Sequence, residues 1–420
     1  MTQSNARDLR ETGEATLPRR DWIVLPAVGI LAILLLAYAT ESIARWLYPT
    51  FSEGLLDCYT KDNPTGDTPV RPNSVCRERI AESKYTVEYR FNKLGHRAGT
   101  ELLPKAPGSY RIVLIGSSMT MGLFVPREMT FAALLPTELS KETGRKVEVY
   151  NEAPGGKFRG GTYPTRDSVA RFNEVLEAQP DLILWVITPW DAVNAGFEGA
   201  GKETSATATQ PAVQEAAPPV VSGSSWDKIV AEITKGKFAD RLNYRWEQTR
   251  TSIVLKHLLL KSDSQDQYVS SYLRNEDFAG FLKAAPGPKW QKELDSFDQD
   301  VTQIEDKARA AGVPFAAVLV PNRAQAAMIS MGKWPKGYDP YGLDAELKKI
   351  VESDGGIYLD ILADYRAIPN PEQNYYPVDG HPDANGHAMI SDFLVKELTN
   401  GSVPALKIAD QSQTAMERGR

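Results

Sequence analysis

The stretch that most constrains this chain is "WIVLPAVGILAILLLAYAT" (residues 22–40), 19 consecutive residues without a charge. A helix of that length can span the hydrocarbon of a bilayer. A buried helix of a soluble protein is one competing reading, but such a helix rarely lacks polar residues all round. Arg7, Arg10, Arg19 and Arg20 precede the stretch, and only Arg45 follows closely. By the positive-inside bias, residues 1–21 stay in the cytoplasm and the bulk of the chain is exported. Trp22, Trp46 and Tyr48 stand where interfacial aromatic anchors would. A cleaved signal peptide is the other competing reading, because Ala37-Tyr38-Ala39 has the small-x-small cleavage pattern. The long polar head and the length of the apolar stretch favour an uncleaved anchor. Both readings export the domain.

Composition excludes one class of partner. The 420 residues carry a net charge of -6 and no basic footprint, so DNA and RNA are not expected to bind. The two cysteines, Cys58 and Cys76, both fall on the exported side of the apolar stretch. An even pair there points to a disulfide rather than a metal site, which would want further Cys or clustered His; two unpaired thiols are the alternative. A bridge would staple a short loop rich in Pro, Asp and Asn.

Beyond residue 105 the chain alternates. "RIVLIG" (111–116), "VEVYN" (147–151), "DLILWVIT" (181–188), "FAAVLVP" (315–321) and "GIYLD" (356–360) are short apolar runs that read as buried strands. Between and after them lie patterns at helical spacing: Phe131, Leu134, Leu135 and Leu139; Val169, Phe172, Val175 and Leu176; Leu294, Phe297, Val301, Ile304 and Ala308, stopped by Gly312; and Met389, Ile390, Phe393, Leu394 and Leu398. This alternation implies βαβ units and a three-layer α/β/α domain around a mostly parallel five-stranded sheet. The expected organisation is a cytoplasmic tail (1–21), an anchor (22–40), an exported juxtamembrane region (41–105), the α/β domain (106–403) and a flexible tail (404–420). An insertion at 195–290 separates the third and fourth strands. Within it, 199–225 is rich in Ala, Thr, Pro, Gly and Ser and reads as a flexible loop. The rest, 226–290, reads as irregular helices that either shape a substrate cleft or act as spacer and packing.

The chemistry-bearing residues gather at two places. "GSSMTMG" (116–122) follows the first strand directly, at the edge where open α/β sheets place their sites. A serine there needs a base, and the base an orienting acid. The chain has only four histidines, and two of them, His381 and His387, lie in "YYPVDGHPDANGHAMISDFL" (375–394). Asp379 precedes His381 by two positions, close enough to reach its imidazole. No partner for His96 or His257 is visible in the sequence, and both are expected to be structural.

These blocks resemble the SGNH (GDSL) hydrolases, whose nucleophile block is Gly-Asp-Ser-x-Thr-x-Gly. Gly116, Ser118, Thr120 and Gly122 fall in register with it, with Ser117 in place of the Asp. The resemblance implies Ser118 as nucleophile, His381 as base and Asp379 as its orienting acid, with one residue between the last two instead of the commoner two. Asn151 and Gly156 match the second block. "PDANGH" is similar to the pattern that opens the family's final helix, which makes His387 structural. "FNKLGHRAG" (91–99) is similar to a stretch found ahead of the nucleophile in membrane-anchored bacterial members. The third block departs. "TPWD" puts Thr188 where Gly stands in the family, Trp190 where an oxyanion-donating Asn stands, and keeps Asp191. The implied oxyanion donors are the backbone N–H groups of Ser118 and Gly156, with the Trp190 indole in the lost Asn's place.

The resemblance implies a flavodoxin-like SGNH fold, no cofactor and no metal. It implies a serine esterase acting on an O-acyl ester, such as an acetylated carbohydrate, on the far side of a bacterial inner membrane. A polysaccharide O-acetyltransferase and a non-catalytic glycan- or protein-binding domain are the alternatives. The chain shows no phosphate-binding Gly-rich loop ending in Lys-Ser/Thr, no His pair at helical spacing with a carboxylate, and no Gly-x-Ser-x-Gly elbow.

Overall fold

The computed structural model describes residues 18, 20–48, 54–59, 70–97, 104–153, 168–193, 245–246, 249–274 and 279–408. Gly156, the loop 199–225, most of the predicted cytoplasmic tail and most of the C-terminal tail lie outside the described residues.

Five strands, β3 (Tyr110–Gly116), β4 (Val147–Asn151), β5 (Leu182–Ile187), β6 (Phe315–Leu319) and β7 (Ile357–Leu359), form one sheet in the order β4-β3-β5-β6-β7. Every pairing is parallel. In chain order within the sheet this is 2-1-3-4-5, the flavodoxin-like arrangement. Parallel strands covered on both faces bury successive residues, not alternate ones. Accordingly every residue of β3, β5 and β6 is buried, which is why these segments read as continuous apolar runs. β4 matches its run, β3 begins one residue earlier, and β5, β6 and β7 are one or two residues shorter at their ends.

Helices make the outer layers. α3 (Phe131–Thr143) packs with α11 (Ala384–Thr399), and α8 (Pro288–Ala310) packs with α10 (Gly342–Ser353). The three-and-four spacing of Leu294, Phe297, Val301, Ile304 and Ala308 puts all five on the buried stripe of α8. There Phe297 stacks on Trp185 of β5 at 5.3 Å between ring centroids. Burial of side chains of this size stabilises by roughly 1.5–3 kcal/mol each.

Two regions differ in detail from the sequence reading. The apolar helix α1 runs Asp21–Leu47, past the charge-free stretch, and is long and apolar enough to cross a membrane. The expected irregular helices of the insertion are regular: α6 (Arg250–Ser262) and α7 (Gln265–Leu273). Each has a side-chain cap, Thr249 for α6 and a Ser264–Gln267 capping box for α7, which the polar local composition obscured. α8 opens at Pro288, inside the expected limits of the insertion. α6 docks on α1: Glu41 accepts the N–H groups of Arg250 (3.0 Å) and Thr251 (2.9 Å).

Ahead of the sheet, the hairpin β1 (Val75–Glu78) with β2 (Val87–Arg90) builds a small second core. Cys58 and Cys76 are disulfide-bonded within it, beside Tyr89 and Phe91. Met121, from the turn after β3, belongs to the same cluster and joins it to the α/β domain.

Candidate active site

The chain leaves β3 through Gly116 and turns at once into the short helix α2 (Ser118–Met121). Gly116 (φ +154°) has no room for a side chain: a Cβ would meet the Thr120 hydroxyl and lie 2.7 Å from the Val186 carbonyl. The turn closes at Gly122, in the left-handed region (φ +81°), where a Cβ would collide with Thr130. This sharp exit sets Ser118 at the carboxyl edge of the sheet. It lies beside β5, where chain order within the sheet reverses and sites of such sheets collect. As the first residue of α2, Ser118 presents an N–H that no helical carbonyl accepts.

Ser118 Oγ lies 2.8 Å from His381 Nε2, and His381 Nδ1 lies 2.6 Å from Asp379 Oδ1. The loop carrying the last two is a tight turn. The His381 N–H donates to Asp379 Oδ1 at 3.1 Å, the Gly380 N–H to the Tyr376 carbonyl at 2.9 Å, and the Tyr376 N–H to the His381 carbonyl at 2.8 Å. Gly380 supplies the positive φ (+89°) that a single intervening residue requires. Directly after, Asp383 caps α11 by accepting from the N–H groups of Asn385 and Gly386, which fixes the loop's far end.

Asp379 and His381 line a cleft of about 820 Å³, with Met119, the neighbour of Ser118, also in its wall; the volume is within the range of small-molecule sites. Its walls are Met119, Thr188 and Trp190 on the sheet side, and Leu259, Tyr268 and Tyr272 from the insertion helices α6 and α7. The cleft wall is mostly apolar by area, and Lys256, Asp263 and Arg323 add charged groups to it, so it suits a largely apolar ligand with polar substituents.

Other predicted residues fall as follows. Trp190 lines the cleft and is 37% exposed. Asn151 spends its amide on the Thr120 carbonyl (2.7 Å), and its Oδ1 accepts the Ala153 N–H (3.0 Å), so it braces the turn that carries Ser118. Asp191 is buried and accepts from the N–H and hydroxyl of Thr188 and the hydroxyl of Ser117. Burial pushes its carboxyl up to about 6. His387 is fully buried, stacks on Phe131, and accepts the Phe131 N–H at 3.4 Å. Burial lowers its imidazole to about 3. His96 and His257 do have partners: His96 lies against Tyr150 and Arg171, and His257 against Glu82. Their partners are 54 or more positions away, which is why the sequence hid them.

Sequence reasoning missed Arg97 and Phe124 as supports of the site. The buried Arg97 guanidinium donates to the carbonyls of Gly122 (2.6 Å), Met121 (3.2 Å) and Val125 (2.8 Å), so "FNKLGHRAG" clamps the end of the nucleophile turn. Phe124 holds a positive φ (+63°) that costs a non-glycine residue of order 1 kcal/mol. Its ring stands edge-on to His381 at 5.8 Å. Arg97 could have been picked out from that motif; Phe124 carried no local signal.

No protein-family model and no curated protein matches the chain. Among solved structures it is similar to a lipase/acylhydrolase from Enterococcus faecalis, at 13% identity over 69% of this chain and 95% of that one, with a TM-score of 0.34. It is similar to an acetyl-xylooligosaccharide esterase from Geobacillus Stearmophilus, at 13% identity over 69% and 95%, TM-score 0.35. A GDSL-like lipase from Parabacteroides merdae matches at 11% identity over 70% and 98%, TM-score 0.35. All three TM-scores are low, and the functional reading rests instead on the distances among Ser118, His381 and Asp379.

Proposed function

We propose that the chain is a membrane-anchored serine esterase of the SGNH type, acting on an O-acyl ester on the exported side of a bacterial inner membrane. The observation that carries this reading is the contact of Ser118 Oγ with His381 Nε2, backed by His381 Nδ1 against Asp379, at the mouth of a cleft. His381 Nε2 takes the Ser118 proton as Oγ attacks the ester carbonyl. Asp379 holds the ring's tautomer and stabilises the imidazolium that forms. The oxyanion is met by the Ser118 N–H, with the Gly156 N–H and the Trp190 indole as further donors. His381 then protonates the departing alcohol, leaving the acyl group on Ser118. Water attacks this acyl-enzyme with His381 again as base, which releases the acid and restores the serine.

Transfer to a sugar hydroxyl is the second reading. The aromatic lining by Trp190 and Tyr272 supports a sugar ring in the cleft, whether as acetylated substrate or as acceptor. The natural substrate is then an acetylated envelope carbohydrate or its acceptor. The test uses the full chain in detergent micelles and follows acetate release from an activated aryl acetate, wild type against Ser118→Ala. Wild-type release with loss in the variant is expected. Equal rates would leave a glycan- or protein-binding domain as the better reading. Product mass in the presence of an oligosaccharide separates transfer from hydrolysis.

A further inference from the structure

The turn between β1 and β2 carries Glu82, far from the sheet in sequence, yet its side chain is only 3% exposed. Its carboxylate spans two consecutive backbone donors of the site loop: Oε1 accepts the Val378 N–H at 2.8 Å and Oε2 accepts the Asp379 N–H at 2.9 Å. Oε1 also lies 3.0 Å from His257 Nδ1 on α6. A carboxylate there can only accept, so His257 donates. One side chain thus joins the N-terminal hairpin, the insertion and the Asp379–His381 loop.

We propose that Glu82 is a positioning residue for Asp379, steadied by His257. This rests on reading Ser118, His381 and Asp379 as a hydrolytic triad. The physical case has two parts. A turn with one residue between acid and base is bonded on its inner side to Asp379 Oδ1 and Tyr376, which leaves the N–H groups of Val378 and Asp379 pointing outward. Water would bind them as readily and hold them less firmly. An ionised carboxylate makes hydrogen bonds about twice as strong as neutral ones, and taking both donors at once fixes the direction of the peptide as well as its place. The second part is leverage. The Asp379 side chain projects from that peptide to a 2.6 Å contact with His381. A displacement of about 1 Å at such a contact can cost on the order of 100-fold in rate. Glu82 does not itself line the cleft; it acts on the site through the N–H groups of Val378 and Asp379.

The test compares the full chain with Glu82→Ala, Glu82→Gln and His257→Gln. In Glu82→Ala, kcat on an activated aryl acetate is expected to fall roughly 10- to 100-fold with KM within about twofold, because no side chain that lines the cleft is replaced. Glu82→Gln keeps the shape and one acceptor oxygen and should fall less, and it serves if the alanine variant folds poorly. His257→Gln keeps a donor but not the ring's placement and should fall by less than Glu82→Ala; no fall at all would remove His257 from the proposal. Two readouts go beyond fold integrity. The short His381–Asp379 bond should give a downfield proton resonance, absent in Asp379→Asn and weakened in Glu82→Ala at unchanged Tm. Amide exchange at Val378 and Asp379 should quicken in the same variant. Unchanged kcat, downfield proton and exchange in Glu82→Ala would overturn the proposal. If a fluorophosphonate fails to label Ser118 in the wild-type chain, the triad reading falls instead, and the exchange result still decides whether Glu82 holds the loop.

Discussion

Ser117 donates its hydroxyl to the buried carboxylate of Asp191 at 3.3 Å, so the residue beside the nucleophile is tied to the end of the neighbouring strand. The Asp191 carboxylate also takes the N–H and hydroxyl of Thr188. A second carboxylate at position 117 would face the first without water between them. Ser117→Asp is therefore expected to destabilise the protein by about 2–4 kcal/mol at neutral pH, and Ser117→Ala by about 1 kcal/mol. Thermal unfolding of the two variants checks this; an aspartate variant as stable as the wild type would show that the site relaxes to separate the two charges.

Asp379→Asn should lower kcat by on the order of 1000- to 10,000-fold with KM nearly unchanged, since the amide favours the wrong tautomer of His381. Steady-state kinetics on an aryl acetate measure it. A loss under tenfold would mean that Asp379 only anchors the turn.

Trp190 is where the site departs most from the family it resembles. If its indole N–H meets the oxyanion, Trp190→Phe should cost about 100- to 1000-fold in kcat. Trp190→Asn, which supplies an amide donor, should keep more activity than Phe. Equal activity of Trp190→Phe and wild type would place the whole oxyanion contact on backbone N–H groups.

Stability should increase as pH falls from about 9 to about 7. Burial raises the carboxyls of Glu152 and Glu305 to about 8 and of Glu293 to about 7, from an ordinary value of 4.5. Both oxygens of Glu152 and Glu305 lack a hydrogen-bond partner, as suits neutral acids. Over this window the folded state takes up protons that the unfolded chain does not, so unfolding becomes harder as pH drops. Below about 6.5 the gain should continue toward pH 5, because these three glutamates stay protonated in the folded state and ionised in the unfolded chain down to their ordinary 4.5. His96 and His387, held neutral by burial and lowered to about 3, gain protons only on unfolding and oppose the further gain from Asp191 and Asp344, both at about 6. Tm measured at pH 9, 7 and 5.5 tests the sign; a lower Tm at pH 7 than at pH 9 would contradict it.

Reducing the Cys58–Cys76 bond, which closes a loop of sequence separation 18, should cost about 3 kcal/mol. The loss should appear first in the hairpin core around Tyr89 and Phe91, as faster exchange there than in β5. Uniform loosening of the whole domain would argue against a local staple.

Much of the fold was legible because parallel strands covered on both faces must be apolar throughout, and β3, β5 and β6 say so residue by residue. Ser118 was singled out by the resemblance of Gly116, Thr120 and Gly122 to the SGNH nucleophile block, and the turn leaves no room for a side chain at its two glycines. What stayed hidden was non-local. Nothing near Glu82 or His257 signals that they meet, because their contact depends on how an insertion folds back on a hairpin 175 positions away. The regularity and bounds of α6 and α7 were hidden for a different reason: the caps at Thr249 and Ser264 define them more than a strong apolar period does.

Ser118 and His381 are 263 positions apart in the chain. At a synthesis rate of about 5–20 residues per second, the serine emerges roughly 13–50 s before its histidine. For that interval the hydroxyl has no base beside it and is as unreactive as any surface serine. The protein thus carries its own delay: Ser118 gains its partner only as the last helix is being made.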